Sequence, residues 1–104
     1  MKRIIDGMKY DTKTATLIAE WDNGIYGNDF KCCEESLYKT SNGNYFIAGS
    51  GGPMSKYAEP VGNNAVGHGS GLEPLDREDA FTWLCEKGFE DEAETEFPDL
   101  ITEA

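Results

Sequence analysis

The stretch Ser41-Asn42-Gly43 stands between two aromatic and β-branched runs, residues 30–40 and 44–48. It is the feature that most narrows what this chain can fold into. Asn-Gly in such a setting is the strongest short-range hairpin signal, because a tight reversal needs positive φ angles that these two residues adopt at least cost. Tyr38, Tyr45, Phe46 and Ile47 supply side chains suited to cross-strand pairs. A second signal, Asp6-Gly7 between Ile5 and Met8, fits a type I′ turn. Between the two, Ala15, Leu17, Ala19 and Trp21 alternate with Thr16, Ile18, Glu20 and Asp22, a period of two that predicts a strand with Ala, Leu and Trp inward. A helix over 12–20, capped by Asp11 or Thr12, competes for the same residues. Gly24 and Gly27 mark a turn or bulge behind it. Residues 1–48 thus read as an antiparallel β meander of three or four strands.

Residues 49–71 carry seven glycines with Pro53 and Pro60, and they read as a long loop with one short helical turn over 54–58. From Asp76 the period changes. Asp76 is a good N-cap, with Asp79 three residues on as an approximate capping box. Ala80, Phe81, Leu84 and Cys85 form an apolar stripe widened by Trp83, and Gly88 stands at the stop position. A second short helix runs over 89–97, with Phe89, Ala93 and Phe97 on one face, until Pro98 ends it.

The expected fold is therefore α+β: an antiparallel sheet of three or four strands, a C-terminal amphipathic helix packed on one face, and an acidic second short helix. Leu17, Trp21, Phe30, Phe46, Ala80, Phe81 and Leu84 form the expected inward set. At 104 residues the chain is too short for two independent cores. It reads as one domain: β meander 1–48, Gly-rich loop 49–71, acidic helical part 76–97, tail 98–104.

Charge limits the function. The formal net charge is −11, and residues 76–104 hold eleven acids against two bases, Arg77 and Lys87. A surface that grips phosphates needs Lys and Arg, so direct nucleic-acid binding is excluded, as is an anionic membrane surface. No apolar run reaches the roughly 20 residues that span a bilayer, and no apolar core follows Lys2-Arg3 to make a signal peptide. Cys32, Cys33 and Cys85 are odd in number and lack C-x-x-C spacing, which predicts reduced, passive thiols in a reducing cytoplasm. With one histidine, His68, a zinc site lacks ligands. Residues 49–56 lack the order of a phosphate-binding loop, and residues 90–96 lack the glycine turn of an EF-hand. Glu34 and Glu35 face opposite sides of a strand and cannot share a substrate. His68 has no partner residue in the pattern to orient it as a base. The reading is a non-enzymatic protein without cofactor, metal or catalytic residue.

The segments at 9–15, 37–46 (Leu-Tyr-Lys-Thr-Ser-Asn-Gly-Asn-Tyr-Phe), 51–58 (Gly-Gly-Pro-Met-Ser-Lys-Tyr-Ala) and 73–80 (Glu-Pro-Leu-Asp-Arg-Glu-Asp-Ala) follow one another in this order. Together they resemble a family of small acidic proteins of bacterial mobile elements and phages, of the Firmicutes type. The resemblance assigns no active site. By size, charge and setting alone the chain is also similar in kind to anti-CRISPR proteins, several of which imitate nucleic acid. That resemblance implies an inhibitor binding the basic, nucleic-acid-gripping surface of a CRISPR effector or another nucleic-acid-binding protein. The candidate partner-binding residues are Asp76, Glu78, Asp79, Glu86, Glu90, Asp91, Glu92, Glu94 and Glu96. Like charges at i, i+4, such as Glu90 with Glu94, oppose a helix by roughly 0.2–0.5 kcal/mol per pair, so keeping them on an amphipathic frame asks for a functional reason. The alternative is a non-catalytic interaction module acting in conjugation or gene regulation. Oligomeric state is not legible in the sequence.

Overall fold

A computed structural model describes residues 1–25, 30–62 and 65–104. The fold is α+β. Its centre is a four-stranded antiparallel sheet in the order β3-β4-β5-β8, formed by Thr16–Asp22 (β3), Cys33–Lys39 (β4), Tyr45–Gly51 (β5) and Gly69–Leu75 (β8). Two separate hairpins accompany it, Lys2–Ile5 with Met8–Asp11 (β1, β2) and Glu59–Gly62 with Ala65–Gly67 (β6, β7). Helices Arg77–Glu86 (α1) and Glu90–Glu96 (α2) follow, and then a 3₁₀ turn, Pro98–Leu100.

Both turn signals make hairpins, but only the first has two positive φ angles; in the second Gly43 alone is positive, at 87°, and Asn42 is not. Asp6 and Gly7 take φ of 52° and 76°, the double positive value of a type I′ turn, and pair Ile5 with Met8. The Ser41-Asn42-Gly43 reversal is closed by the Gly43 N–H donating to Thr40 O at 2.9 Å, which aligns Lys39 with Tyr45. Period-two alternation then splits the sheet into two faces. Ala19, Leu37, Tyr45 and Ile47 meet Ala80, Trp83 and Leu84 of α1 and Ala93 and Phe97 from α2 and its end. On the other face Tyr10, Phe46 and Leu72 form a second core under the β1–β2 hairpin.

Four expectations are corrected. First, Thr16–Asp22 forms the expected strand and not the competing helix over 12–20, but β3 does not keep one period. The register slips between Leu17 and Ala19, which makes Ile18 the extra residue of a β-bulge. Ala19 and Trp21 face the helices as expected and Ile18 joins them, while Leu17, opposite Tyr38, is left 45% exposed. Second, Phe30 is 64% exposed because β4 begins only at Cys33, beyond the sheet's reach. Third, Cys85 lies on the exposed side of α1, and Trp83 takes its place in the core. Gly27, expected in a turn, lies outside the described residues.

Fourth, residues 49–71 are not a long loop. They end β5, build the β6–β7 hairpin and begin β8, the strand that completes the sheet outside the expected 1–48 meander. The segment over 54–58 makes turns and no helix. The glycines have a packing reason. Gly49 faces Gly71 and Gly51 faces Gly69 across β5 and β8. This leaves a trough without side chains, and the returning chain lies in it. A Cβ at Gly51 would strike Ser55, one at Gly69 the Tyr57 backbone, and one at Gly49 the Tyr57 ring.

The helical third follows its caps. Asp76 accepts a hydrogen bond from the Asp79 N–H at 2.8 Å. At the other end the Phe89 N–H donates to Leu84 O at 2.8 Å and the Gly88 N–H to Cys85 O at 3.2 Å, with Gly88 at φ 84°. These are the two bonds of a Schellman motif, and its usual apolar contact is present as Phe89 stacked on Trp83. The expected tail is partly fixed: Leu100 packs on the core, and Arg77 grips Asp99 with two bonds of 3.0 and 2.8 Å.

Candidate interaction surface

The acids proposed for partner contact lie on one layer, the two helices covering the sheet. Asp76, Glu78, Asp79, Glu86, Glu90, Asp91 and Glu94 are exposed, and Glu92 is half-buried. Phe89, Ala93 and Phe97 act as the frame: Ala93 and Phe97 are buried, and Phe97 meets Tyr45 and Phe81 edge-on or tilted. Asp76 doubles as the α1 cap. Glu96 differs from the rest. It accepts from Tyr45 Oη at 3.0 Å and from Lys39 Nζ at 3.4 Å, so it clamps the end of α2 onto the sheet. That negative charge in turn raises the Lys39 pKa.

Little positive charge dilutes this layer. Arg77 is held by Asp99 and lies over the Phe97 ring. Lys87 turns inward, with Nζ 3.7 Å from the centre of the Trp21 ring. Lys2, Arg3, Lys9 and Lys13 sit on and beside the β1–β2 hairpin, which packs on the opposite sheet face, and make no ion pair among the described residues. The helical layer is thus densely acidic, and the free cations lie around the hairpin on the other face.

Beneath the helices is a group that sequence reasoning passed over. Glu35 is 3% exposed, in the inward column that runs from Trp21 to Gly49. It accepts hydrogen bonds from Tyr57 Oη at 2.5 Å and Trp83 Nε1 at 3.2 Å, with Lys56 Nζ at 2.6 Å and Lys87 Nζ at 3.9 Å. Burial alone would raise the carboxyl pKa. The donors from Lys56, Tyr57 and Trp83 outweigh it and hold Glu35 below the ordinary range. One carboxylate therefore ties the segment in the glycine trough and the middle of α1 to the sheet. The available signal was its place at an inward period-two position between Cys33 and Leu37.

A second acidic area lies on the sheet face that the helices do not cover. Glu20, Asp22 and Glu34 share it with Ser36 and Ser50 along an open cleft of about 440 Å³. Asp22 and Glu34 sit directly opposite each other, an unfavourable like-charge pair. Local bonds, from the Gly24 N–H to Asp22 at 2.7 Å and from Ser50 Oγ to Glu34 at 2.9 Å, help hold them there.

His68 is exposed beside Cys32 and Cys33 at a small cleft, with no hydrogen-bond partner among the described residues. Among the described residues no group of three or more His, Cys, Asp or Glu is arranged to hold a metal ion. Among the described residues no helix is long and apolar enough to cross a membrane. All three cysteines are free. Burial, followed by the charge of Glu35, pushes the Cys33 thiol up, so it should react slowly. Native alkylation at pH 8 should modify exposed Cys85 first, Cys33 more slowly by about tenfold or more, and three thiols in total after unfolding. Fewer than three would reveal a disulfide. Comparison with protein-family models, with curated proteins and with solved structures found no match to this chain.

Proposed function

We propose that this protein is an inhibitor of the anti-CRISPR type, which docks its acidic helical layer on a basic, nucleic-acid-gripping surface of a bacterial defence effector. The observation that carries this reading is the dense, little-neutralised negative charge of the helical layer. Seven of the candidate acids are exposed on two helices, and both cations of the same stretch are engaged elsewhere. Duplex DNA offers one negative charge per ~1.7 Å of axis to the proteins that hold it. Carboxylates fixed on short helices compete for the same cationic groove, and the field steers the encounter. Preorganisation supports the reading as well, since the Glu35 cluster, the Schellman turn and the Glu96 clamp all hold the layer rigid.

The experiment is effector binding to its nucleic acid, with and without this protein, across a salt series. Competition should weaken as salt rises, because exposed charges are screened beyond ~8 Å at physiological ionic strength. Reversing Glu90, Asp91 and Glu94 to Lys should slow association by about tenfold or more, with the far-ultraviolet circular dichroism retained. Neutral Gln and Asn at the same positions should give an intermediate rate. A partner that binds without disturbing nucleic acid, and is indifferent to the reversal, would instead make the protein an interaction module of conjugation or gene regulation.

A further inference from the structure

The acidic layer is not uniformly polar. Between α1 and α2 runs an open groove of about 290 Å³, lined by Phe81, Cys85, Ala93 and Ile101, with Glu90 and Glu94 as its only charged lining. Its wall area is almost wholly apolar. Phe81 is half-buried against Phe97, and Ile101 is 42% exposed. The position of Ile101 is fixed from behind. The Arg77–Asp99 pair holds the 3₁₀ turn, the Ile101 N–H reaches Pro98 O at 3.4 Å, and Leu100 goes to the core while Ile101 stays out.

We infer that this groove receives an apolar side chain from a basic amphipathic segment of the partner, whose Lys or Arg residues meet Glu90 and Glu94. The inference rests on the reading of a basic partner and names what that partner must present. Charge selects this occupant. A second copy in a symmetric contact would bring Glu90 and Glu94 against their own equivalents, in a protein of net charge −11. An anionic lipid surface meets the same repulsion. A small ligand would need convergent polar groups, and the volume is at or below the ~300–1,000 Å³ of such sites. An apolar anchor ringed by cations satisfies both the apolar walls and the two carboxylates. It also adds what a charge field lacks: a desolvated contact at the centre, where binding energy concentrates.

Cys85 is a built-in reporter, because it lines the groove and is exposed. The full-length protein is titrated with two synthetic peptides. One has Leu at i, i+3, i+4 and i+7 of a helix and Lys elsewhere, and the other has every Leu replaced by Ser at unchanged charge. The Leu peptide should bind about tenfold tighter or more and slow alkylation of Cys85 by a similar factor, with Cys32 and Cys33 as unchanged internal references. Ile101→Ser, at an exposed site that leaves the fold intact, should weaken the Leu peptide by about fivefold and leave the Ser peptide unaffected. Equal affinities, or binding that leaves Cys85 as reactive as before, would overturn the groove while sparing the basic-partner reading. Failure of both peptides to bind at low salt would remove that reading and the groove together. Concentration-dependent dimerisation abolished by Ile101→Ser would give the groove to a second copy and overturn the inference.

Discussion

Replacing Glu35 with alanine should lower folding stability by about 3 kcal/mol, a fall in Tm of about 12–24 °C for a domain of this size. The carboxylate is 3% exposed and joins three parts of the fold, so its loss strands Tyr57 Oη and Trp83 Nε1–H without acceptors. An unsatisfied buried donor costs about 1–3 kcal/mol. Lys56 is largely exposed and rehydrates when released, which keeps the total at the lower end for a broken buried ion pair. Glu35→Gln retains an acceptor and should lose about half as much. Urea unfolding of the three proteins decides the matter: a Glu35→Ala variant within 1 kcal/mol of the parent would show that the cluster is not a clasp. The same group sets the acid limit. Its folded pKa lies below its unfolded one, so its contribution is full above the ordinary Glu range near pH 4.3–4.5 and is lost as pH falls through the folded value. At the alkaline end the sign is reversed. Tyr57 is pushed up by burial and by the Glu35 charge, so its contribution is full below about pH 10 and declines above that. Stability should therefore hold a plateau between about pH 5 and 9.5, and Glu35→Ala should lower the plateau itself.

Gly49→Ala and Gly71→Ala should act with opposite signs although the two glycines face each other on neighbouring strands. A Cβ on Gly49 would fall inside the van der Waals envelope of Tyr57 Oη and Cζ, whereas one on Gly71 would meet Tyr57 Cδ1 at 3.5 Å and Cε1 at 3.6 Å, an ordinary contact. Gly49→Ala must expel the ring and break its bond to Glu35, at a cost of about 2–4 kcal/mol. Gly71→Ala keeps the ring and restricts the unfolded chain, which should stabilise by about 0.4–1 kcal/mol. Since the penalty at Gly49 arises from the ring, it should drop below about 1 kcal/mol in a Tyr57→Ala background. An unchanged penalty there would mean that Gly49 is required for its backbone and not for the room it leaves.

Local chemistry determined the elements. The positive-φ pair Asp6-Gly7 and the single positive-φ residue Gly43 fixed two hairpins, and Asp76 and Gly88 fixed the ends of α1, because turn and cap geometry depends on a few neighbouring residues. The spacing of Phe89, Ala93 and Phe97 likewise marked the buried side of α2 and hence which acids stay outside. Whatever depends on residues distant along the chain was decided by the tertiary structure. The bulge at Ile18 turns Leu17 out of the inward column while Ala19 and Trp21 keep theirs, because β4 sets the register, and no local pattern contains that information. The glycines of 49–71 looked like a loop, since sequence shows their missing side chains but not the chain that fills the space. The sequence puts Glu34 and Glu35 on opposite sides of a strand but cannot show what Glu35 meets, since its partners Tyr57, Trp83 and the two lysines lie 21 to 52 positions away. Glu96 stands in the sequence as one acid among several, and its bonds to Lys39 and Tyr45 exist only across the folded sheet. The net charge of −11 is a property of composition; its confinement largely to one side, with an apolar groove in its midst, exists only once the helices are packed.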